Sequence, residues 1–301
     1  MARDRAGKRD AQTIVSSARL FLEKNARLLE RLRFAHLFEG GPKDPILLAL
    51  RAYRNADGGY GRGLEPDLRG PESEPIPVWT ALGILDEIDE VRGPDLDHIL
   101  RWLDSAEATG GGIPFVFRAA RRSPHAPWWE TGPGRVRGAL NPTAGLAAYL
   151  YKNHIESPWL RRNATWCWER VERIQEVSPY ELRVVLAFLD RTPERDRAVA
   201  ALTRLRPMVR SSKEILLSSK DSGAGFRPLD FTPDPGTRSR SLFTEEEIQA
   251  HLDWILGSQN AEGGWSVDFP IWTPLTRYEW DGVWTLEMLK LLRSNGRLSR
   301  D

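Results

Sequence analysis

The chain has 301 residues, with 43 Lys and Arg against 42 Asp and Glu, so its formal charge of +1 offers no net field to nucleic acid or to an anionic membrane. Its single cysteine, Cys167, excludes an intrachain disulfide and fits a reducing compartment. The basic N-terminus lacks the apolar stretch of a secretory signal, and no segment approaches about 18 consecutive apolar residues. We therefore expect a cytoplasmic protein with no membrane span and no nucleic-acid partner.

Apolar residues recur at three- and four-residue steps along most of the chain, a pattern typical of amphipathic helices. The first predicted helix covers residues 12–38 and stops at "EGGP". The second starts at "KDPILLALRAYRN" and ends in the glycines of "ADGGYGRG", and the third begins at "PVWTALGILDEIDE". Further helices are predicted in "DLDHILRWLDSAEA", "NPTAGLAAYLYKNHI", "SPWLRRNATWCWERVERIQ", "SPYELRVVLAFLD", "TPERDRAVAALTRL", "TEEEIQAHLDWILGSQN" and "RYEWDGVWTLEMLKLLRSNGR". No segment alternates polar and apolar residues over a useful length, so the chain is predicted to be all-α, with roughly ten to twelve helices.

Several of these helices open on a capping residue followed by proline, which is favoured in the first helical turn. Asn141 precedes Pro142 in this way, and two other helices start with Ser-Pro. A capping box is predicted from Thr244 to Glu247. These signals define the predicted helix starts.

One short phrase occurs twice, as Asn-Ala-Asp-Gly-Gly-Tyr at residues 55–60 and as Asn-Ala-Glu-Gly-Gly-Trp at residues 260–265. Each copy follows a helix and precedes a loop and a second helix that carries Trp-Thr. "AEATGGGIPF" lies between them and is a degenerate third copy. Helix hairpins of this kind bury their apolar faces by stacking side by side. We expect six hairpins of outer and inner helices that close into a ring, as one domain over residues 1–301 with residues 1–11 disordered.

The phrase "HLDWILGSQNAEGGW" resembles the QW repeat of squalene-hopene and oxidosqualene cyclases, with Gln259, Gly263 and Trp265 at the motif positions. This resemblance points to the terpenoid cyclase and protein prenyltransferase superfamily, and it implies an α/α toroid, similar to an (α/α)6 barrel. The chain departs from that family in its chemistry. It has no Asp-x-Asp-Asp acid motif, and "LDEIDEVRGPDLD" only imitates the Asp-Asp-x-x-Asp motif of ionising synthases. One Cys and five scattered His do not assemble the zinc sets of prenyltransferases or lanthionine cyclases.

Two acidic segments are the strongest candidates for chemistry. Residues 55–75 form a Gly- and Pro-rich loop, and residues 262–281 follow the second copy of the repeated phrase. In a closed ring the two segments are expected to face each other. A carboxylic acid buried against aromatic side chains has a raised pKa and is prepared to deliver a proton. The predicted catalytic residues are Asp57, Glu65, Asp67, Glu279 and Asp281.

The predicted substrate-binding residues are aromatic or polar side chains near these acids, because aromatic faces stabilise cations and stack on sugar rings. They are Tyr60, Arg62, Arg69, Trp79, Trp128, Trp129, Asn141, Trp265, Trp272 and Trp280. Structural roles are also open for some of them: Asp57 is suited to capping its turn, and Arg62 and Arg69 to locking the loop. No metal site is predicted, and Mg²⁺ is expected only if the substrate is a diphosphate.

Three functions remain open from the sequence. The first is a terpenoid-cyclase-like enzyme in which Asp67 or Glu65 protonates an isoprenoid and aromatic side chains stabilise the cation. The second is a carbohydrate-active hydrolase or lyase with one carboxylate from each acidic segment. The third is a non-catalytic module for a small ligand or a protein partner. The first two predict a hydrophobic or a saccharide small molecule, and the oligomeric state is left open.

Overall fold

The computed structural model describes residues 10–132, 136–218, 221 and 223–298. Within these ranges the chain is all-α, as predicted, with isolated bridges in place of strands. Its twelve α-helices in the described residues are α1 (Ala11–Asn25), α2 (Leu28–Glu39), α3 (Asp44–Arg51), α4 (Pro75–Glu87), α5 (Pro94–Ala106), α6 (Leu140–Lys152), α7 (Pro158–Val171), α8 (Pro179–Arg191), α9 (Arg195–Ser211), α10 (Pro228–Phe231), α11 (Glu245–Ser258) and α12 (Pro274–Ser294). Short 3₁₀ turns lie in the loops at Arg118–Arg122, Pro127–Trp129 and Arg238–Leu242.

Across the described part of the chain, each odd-numbered outer helix is followed by an even-numbered inner helix, which gives six hairpins. In the inner ring α4 packs on α6, α6 on α8, and α8 on α10, and α12 packs on α2 to close the circle. Outer helices cover this ring, with α7 on α6, α9 on α8, and α11 on both α10 and α12. The predicted α/α toroid of outer and inner hairpins is therefore confirmed.

The main apolar core lies between the two layers of helices. It takes side chains such as Leu22 and Leu252 from outer helices, and Leu82, Leu186 and Leu289 from inner ones. A second and much smaller apolar cluster lies apart from this core. None of the described helices combines the length and the apolar character needed to cross a membrane.

The first predicted helix, residues 12–38, is wrong in one respect, because the structure divides it into α1 and α2. Ala26 and Arg27 between them have extended backbone, with ψ of 157° and 156°. The break brings Ala26 against Gly282 of α12 and lets the Arg27 guanidinium bind Glu30. Since the apolar spacing continues through the break, hydrophobic periodicity did not reveal it. The disorder predicted for residues 1–11 falls mainly outside the described residues; Asp10 caps α1 and Ala11 begins it.

Three turns share one backbone pattern, at residues 55–60, 108–113 and 260–265. In each turn the first residue donates its N–H to the carbonyl four residues later, and the fourth residue donates back to the first, at 2.9 to 3.1 Å. That fourth residue is Gly58, Gly111 or Gly263, with φ of 91°, 87° and 97°. A Cβ on Gly58 or Gly263 would lie 2.6 or 2.3 Å from a backbone oxygen of the adjacent outer helix. Only glycine fits these positions, and the degenerate third copy folds like the other two.

The inner helices all begin at the same end of the ring, which we call the N-terminal end. Four of them start on proline, at Pro75, Pro179, Pro228 and Pro274. Helix α6 becomes regular after Asn141, whose φ and ψ of −94° and 115° are not helical. The side-chain oxygen of Asn141 makes no capping bond, in contrast to the prediction, whereas the capping box of Thr244 and Glu247 is present.

The opposite end of the ring is closed by charged side chains from three inner helices. Arg33 of α2 donates to both carboxylate oxygens of Glu87 in α4, at 2.7 and 2.8 Å, and to Glu287 of α12 at 3.2 Å. Lys290 of α12 also lies 2.7 Å from Glu87. Because Arg33 and Glu87 are buried, each needs the other to compensate the loss of hydration. This network joins the beginning of the chain to its end.

We expect the substitution Arg33→Met to lower the free energy of unfolding by about 3 to 5 kcal/mol, because it leaves Glu87 buried with one cationic partner fewer. Urea unfolding followed by circular dichroism measures the loss. The matched control is Arg162→Met, since Arg162 is half-exposed and pairs with Asp104 on the surface. Its expected cost is at most about 1 kcal/mol. Equal losses in the two variants would contradict a structural role for the buried network.

Candidate functional site

Asp67 lies at the N-terminal end of the ring, where the loop before α4 meets the first turns of α12. Its Oδ2 accepts a hydrogen bond from Trp280 Nε1 at 2.7 Å. Its Oδ1 is buried and has no partner among the described residues. The hydroxyl of nearby Thr276 donates to a backbone carbonyl one turn earlier, at 3.0 Å. Burial raises the pKa of Asp67, against the opposing effects of the Trp280 indole, the Thr276 side chain and Arg69.

Glu65 precedes Asp67 by two residues and is also buried. The two are held in one tight turn, in which the Leu68 N–H donates to the Glu65 carbonyl at 3.0 Å. Burial, and then the charge of Asp67, raise the pKa of Glu65 to about 8, although Arg27 and Arg69 oppose the rise. Glu65 therefore holds its proton at neutral pH.

Arg69 and Glu279 join the two predicted acidic segments directly. The Arg69 guanidinium donates to both oxygens of Glu279, at 3.2 and 2.6 Å. This bidentate pair lies beside the Asp67–Trp280 contact, so the segments face each other as the ring prediction required. Arg69 thus makes the kind of ion pair that would lock the loop, which the sequence analysis had left as an alternative role. Glu279 is accordingly an ion-paired carboxylate.

The loop that carries Glu65 and Asp67 is anchored from the opposite side by Arg27. This guanidinium donates to both oxygens of Glu30 at 2.8 Å, and to the carbonyls of Gly63 and Leu64 at 2.8 and 3.1 Å. The break between α1 and α2 is what directs Arg27 toward the loop. Arg27 was not among the predicted residues, because its role depends on that break.

Glu74 is an acidic residue that the site prediction did not select, although it lies in the same acidic loop as Glu65 and Asp67. It is buried at the start of α4, where Oε2 accepts the Phe117 N–H at 2.8 Å and Oε1 has no partner among the described residues. Burial raises the pKa of Glu74 to about 7. The sequence signal that pointed to it is its position directly before Pro75, which places it at the N-terminal end of the ring.

Besides Trp280, three of the predicted tryptophans lie at this end of the ring. Trp129 belongs to the small apolar cluster, and Trp79 and Trp272 pack against it. The indole N–H groups of Trp79 and Trp129, and Oδ1 of Asn141, are buried without hydrogen-bond partners among the described residues. The ring of Trp79 lies against Gly145, one helical turn beyond Asn141. These side chains combine aromatic surface with unused polar atoms.

Other predicted residues lie elsewhere or are engaged in local structure. Asp57 caps its turn, since Oδ1 accepts the Gly59 N–H at 2.9 Å and the Ser73 hydroxyl at 2.7 Å. It lines a separate open groove of about 470 Å³. Arg62 donates to Asn55 Oδ1 at 2.9 Å. Trp128 is 44% exposed on the surface.

Three further predicted residues belong to the interior packing of the fold. Tyr60 and Trp265 are fully buried in the main core, where Trp265 Nε1 donates to the Ile255 carbonyl at 2.7 Å. Asp281 accepts the Val267 N–H at 3.1 Å and holds the loop before α12. The aromatic residue after Gly-Gly points into the core in both copies, a direction that the sequence does not specify. We leave these three residues out of the proposed site.

No metal centre is formed among the described residues, which contain no group of three or more His, Cys, Asp and Glu side chains placed to hold an ion. A small enclosed space of about 10 Å³ lies beside Glu74, bounded by Leu68, Ala120 and His125. This space is the size of about one water molecule. A larger ligand therefore needs a rearrangement to reach Glu74 through this space.

No protein family matches the sequence, and no curated protein matches it. Among solved structures, a protein from Actinoplanes matches with a TM-score of 0.62 at 12% identity, over 95% of this chain and 100% of that one. The type II terpene cyclase MstE from Scytonema matches with a TM-score of 0.47 at 15% identity, over 95% of this chain and 88% of that one. The Actinoplanes likeness shows a shared fold alone, and the weaker likeness to the cyclase adds no argument about function.

The raised pKa of Glu65 predicts a pH-dependent contribution to stability. Its folded value of about 8 lies above the ordinary value of 4.5, so the folded protein keeps a proton that the unfolded chain has lost. This contribution is fully present below pH 4.5 and is lost as the pH rises through 8. We expect Glu65→Gln, which stays neutral, to gain stability relative to the native protein from pH 5 to 8, by up to about 1.4 kcal/mol per pH unit.

Urea unfolding at several pH values, compared between the two proteins, measures this difference. Glu169→Gln is the control, because the Glu169 side chain is exposed, and its stability difference from the native protein should not change with pH. A difference for Glu65→Gln that is equally flat would show that Glu65 is ionised in the folded protein.

Proposed function

We propose that this protein is an enzyme that acts by general acid catalysis, with Asp67 as the proton donor. The observation that carries the proposal is the unequal environment of the two Asp67 oxygens. Oδ2 accepts the Trp280 indole N–H, while Oδ1 is buried and without a partner among the described residues. In the neutral acid the proton therefore belongs on Oδ1, because Oδ2 is engaged by the indole N–H and the nearby Thr276 hydroxyl is directed to the Thr273 carbonyl at 3.0 Å.

The surroundings of Asp67 favour the neutral acid that such a reaction needs. Burial raises its pKa, and the negative charge of Glu279 adds to the rise. An acid is an efficient donor when it keeps its proton near the operating pH. The same tight turn holds Glu65 and Asp67, so Glu65 is the natural second acid in the site.

The apolar and aromatic walls favour a substrate that becomes cationic on protonation. Trp79, Trp129 and Trp272 lie at the cluster beside the acids, and Trp280 binds Asp67 itself. The face of an indole ring stabilises a nearby cation, and an apolar wall keeps water from quenching it. The first candidate reaction is thus protonation of a carbon–carbon double bond in an isoprenoid-like molecule, followed by cyclisation.

A carbohydrate-active enzyme is the second candidate, and one pair of carboxyl groups favours it. Asp67 has the environment of a neutral acid, whereas Glu279 is ion-paired with Arg69 close by. Two carboxyl groups in unlike environments are what glycoside hydrolysis requires of its acid and its base or nucleophile. Sugar rings also stack on tryptophan, so the same walls suit this substrate.

The substrate class is identified first by thermal unfolding with isoprenoid alcohols and hydrocarbons, isoprenoid diphosphates with and without Mg²⁺, and oligosaccharides. A ligand at about 100 times its Kd adds about 2.7 kcal/mol, a shift of several degrees for a chain of this size. A shift with isoprenoids alone supports cyclisation, and a shift with saccharides alone supports the second candidate. A ligand that shifts the midpoint without being converted at any pH would make the protein a binding module.

With a converted substrate in hand, we expect Asp67→Asn to lower turnover by about 10²- to 10⁴-fold, because the amide cannot donate an acidic proton. Binding of the substrate should remain, since the amide keeps the size and the indole contact of Asp67. Steady-state kinetics and a thermal shift with the same substrate measure the two effects. The control is Asp104→Asn, an exposed carboxylate on the outer helix α5. Turnover that survives in Asp67→Asn would remove Asp67 from the mechanism.

A further inference from the structure

Residues 114–132, which we call the cover segment, cross the N-terminal end of the ring between α5 and α6. The segment is braced by its own contacts. Phe115 and Trp129 stack with ring centroids 4.9 Å apart, and His125 Nε2 lies 3.1 Å from a Glu130 oxygen. These contacts join its beginning, middle and end, so the cover segment is braced within itself.

The small apolar cluster is the interface between the cover segment and the ring. The cover segment supplies four of its six buried members, Val116, Ala120, Ala126 and Trp129, and the ring supplies Leu68 and Ile76. The main core forms a separate cluster. Phe117 of the cover segment also packs on the main core, with its ring centroid 6.0 Å from that of Trp102. A segment that is held chiefly by a small cluster opens at a lower free energy than one that is part of the main core.

Polar contacts attach the cover segment to the loop before α4 at three places, one of which is the Ser123 hydroxyl, which donates to Glu72 at 3.3 Å. At the second, the Arg69 N–H donates to the Pro124 carbonyl and the Ala126 N–H donates to the Asp67 carbonyl, each at 3.0 Å. These bonds flank Leu68 and His125, which form an isolated antiparallel bridge. At the third place the Phe117 N–H donates to Glu74, at 2.8 Å. The cover segment is thus attached to the residue that carries the proposed acid.

Unused polar atoms collect beneath and within this segment. Of the ten buried side-chain nitrogen and oxygen atoms without a partner in the described residues, six lie in this region. They are Asp67 Oδ1, Glu74 Oε1, Trp79 Nε1, Trp129 Nε1, Thr131 Oγ1 and Asn141 Oδ1. A buried polar atom without a partner costs about 1 to 3 kcal/mol, so such a concentration favours a ligand or ordered water that satisfies these atoms.

We propose that the cover segment opens to admit a ligand to these atoms, and that the ligand is a neutral, mainly apolar molecule with oxygen substituents. The proposal extends the proposed function, because it assigns the access route to Asp67 and the polarity of its substrate. Each of the six atoms is closed to solvent in the structure. A substrate therefore reaches Asp67 Oδ1 only after the segment has moved.

The chemistry of the unpartnered atoms that opening would uncover defines the ligand. The indole N–H groups of Trp79 and Trp129 need an acceptor such as a hydroxyl or carbonyl oxygen, and Asn141 Oδ1 needs a donor such as a hydroxyl. A hydrocarbon meets none of these needs. The Arg69 guanidinium is already held by Glu279, so it is not available to a diphosphate.

A disulfide latch tests the movement. Leu68 and His125 are the non-hydrogen-bonded pair of their bridge, a geometry with Cα atoms about 4.5 Å apart that suits a disulfide. The double substitution Leu68→Cys with His125→Cys locks the cover segment when oxidised. Leu68→Ser with His125→Ser is the matched variant without a latch. A third substitution, Asn141→Cys, supplies a thiol beneath the cover segment. It is made in the latch variant, in the Ser/Ser variant and in the otherwise native chain.

The measurement is the rate at which N-ethylmaleimide modifies the thiol at position 141, followed by peptide mass spectrometry. The native Cys167 is an internal reference, because it is fully buried in the main core and reacts only on wider unfolding. In the otherwise native chain we expect the thiol at position 141 to react at least about ten times faster than Cys167, and the latch to slow it by at least about tenfold. Equal rates for the two thiols, or equal rates with and without the latch, would overturn the proposal.

The ligand class is tested by protection of the same thiol in the otherwise native chain. The probes are two matched pairs, farnesol with farnesene and terpineol with limonene, together with farnesyl diphosphate. Protection by the alcohols and not by their hydrocarbons is expected. Equal protection by the hydrocarbons, protection by the diphosphate alone, or none by either alcohol would contradict the ligand class. Labelling needs no turnover, so this inference can be tested separately from the proposed function. If the latch slows labelling but the Asp67→Asn variant stays active, the opening of the cover segment is supported and the role of Asp67 as the acid is not.

Discussion

The contact on which the rest of the molecule depends is the one that closes the ring, where α2 meets α12. In a row of helix hairpins the first and last hairpins each leave an apolar face exposed to water. This exposure costs free energy until the two hairpins pack against one another. The buried Arg33 fixes this closure by binding Glu87 of α4 and Glu287 of α12 together. Charged side chains leave water at a high cost, so this contact tolerates only one register of α2 against its two neighbours.

The same closure creates the candidate site at the other end of the ring. Asp67 and Trp280 are 213 residues apart in sequence, and Arg69 and Glu279 are 210 apart, yet both pairs make direct hydrogen bonds. Neither contact forms in an open array of hairpins. The site therefore depends on the completed circle, while Arg27 anchors its loop from the side of α2.

Much of the fold was predictable, because helix periodicity and the glycine turns are local properties of the chain. The repeated Gly-Gly phrase required a positive φ at Gly58 and Gly263, and both have one. The break at Arg27 escaped prediction since the apolar spacing does not change there. The facing acidic segments followed from the ring, but the inward direction of Tyr60 and Trp265 did not, because pattern does not state which way an aromatic side chain points. The burial of Glu74 and the course of the cover segment depend on long-range packing, which the sequence does not state, although the position of Glu74 directly before Pro75 places it at a helix start.

The common direction of the inner helices has an electrostatic consequence for proton transfer. Each helix N-terminus carries a partial positive charge, equivalent to roughly half an elementary charge, and the inner helices begin where Asp67 and Glu74 are buried. Burial raises the pKa of both acids in the resting protein, whereas the helix ends favour the anion that remains after a proton has left. In an acid at this position burial opposes ionisation and the helix ends assist it, and the neighbouring Arg69 guanidinium also favours the conjugate base of Asp67.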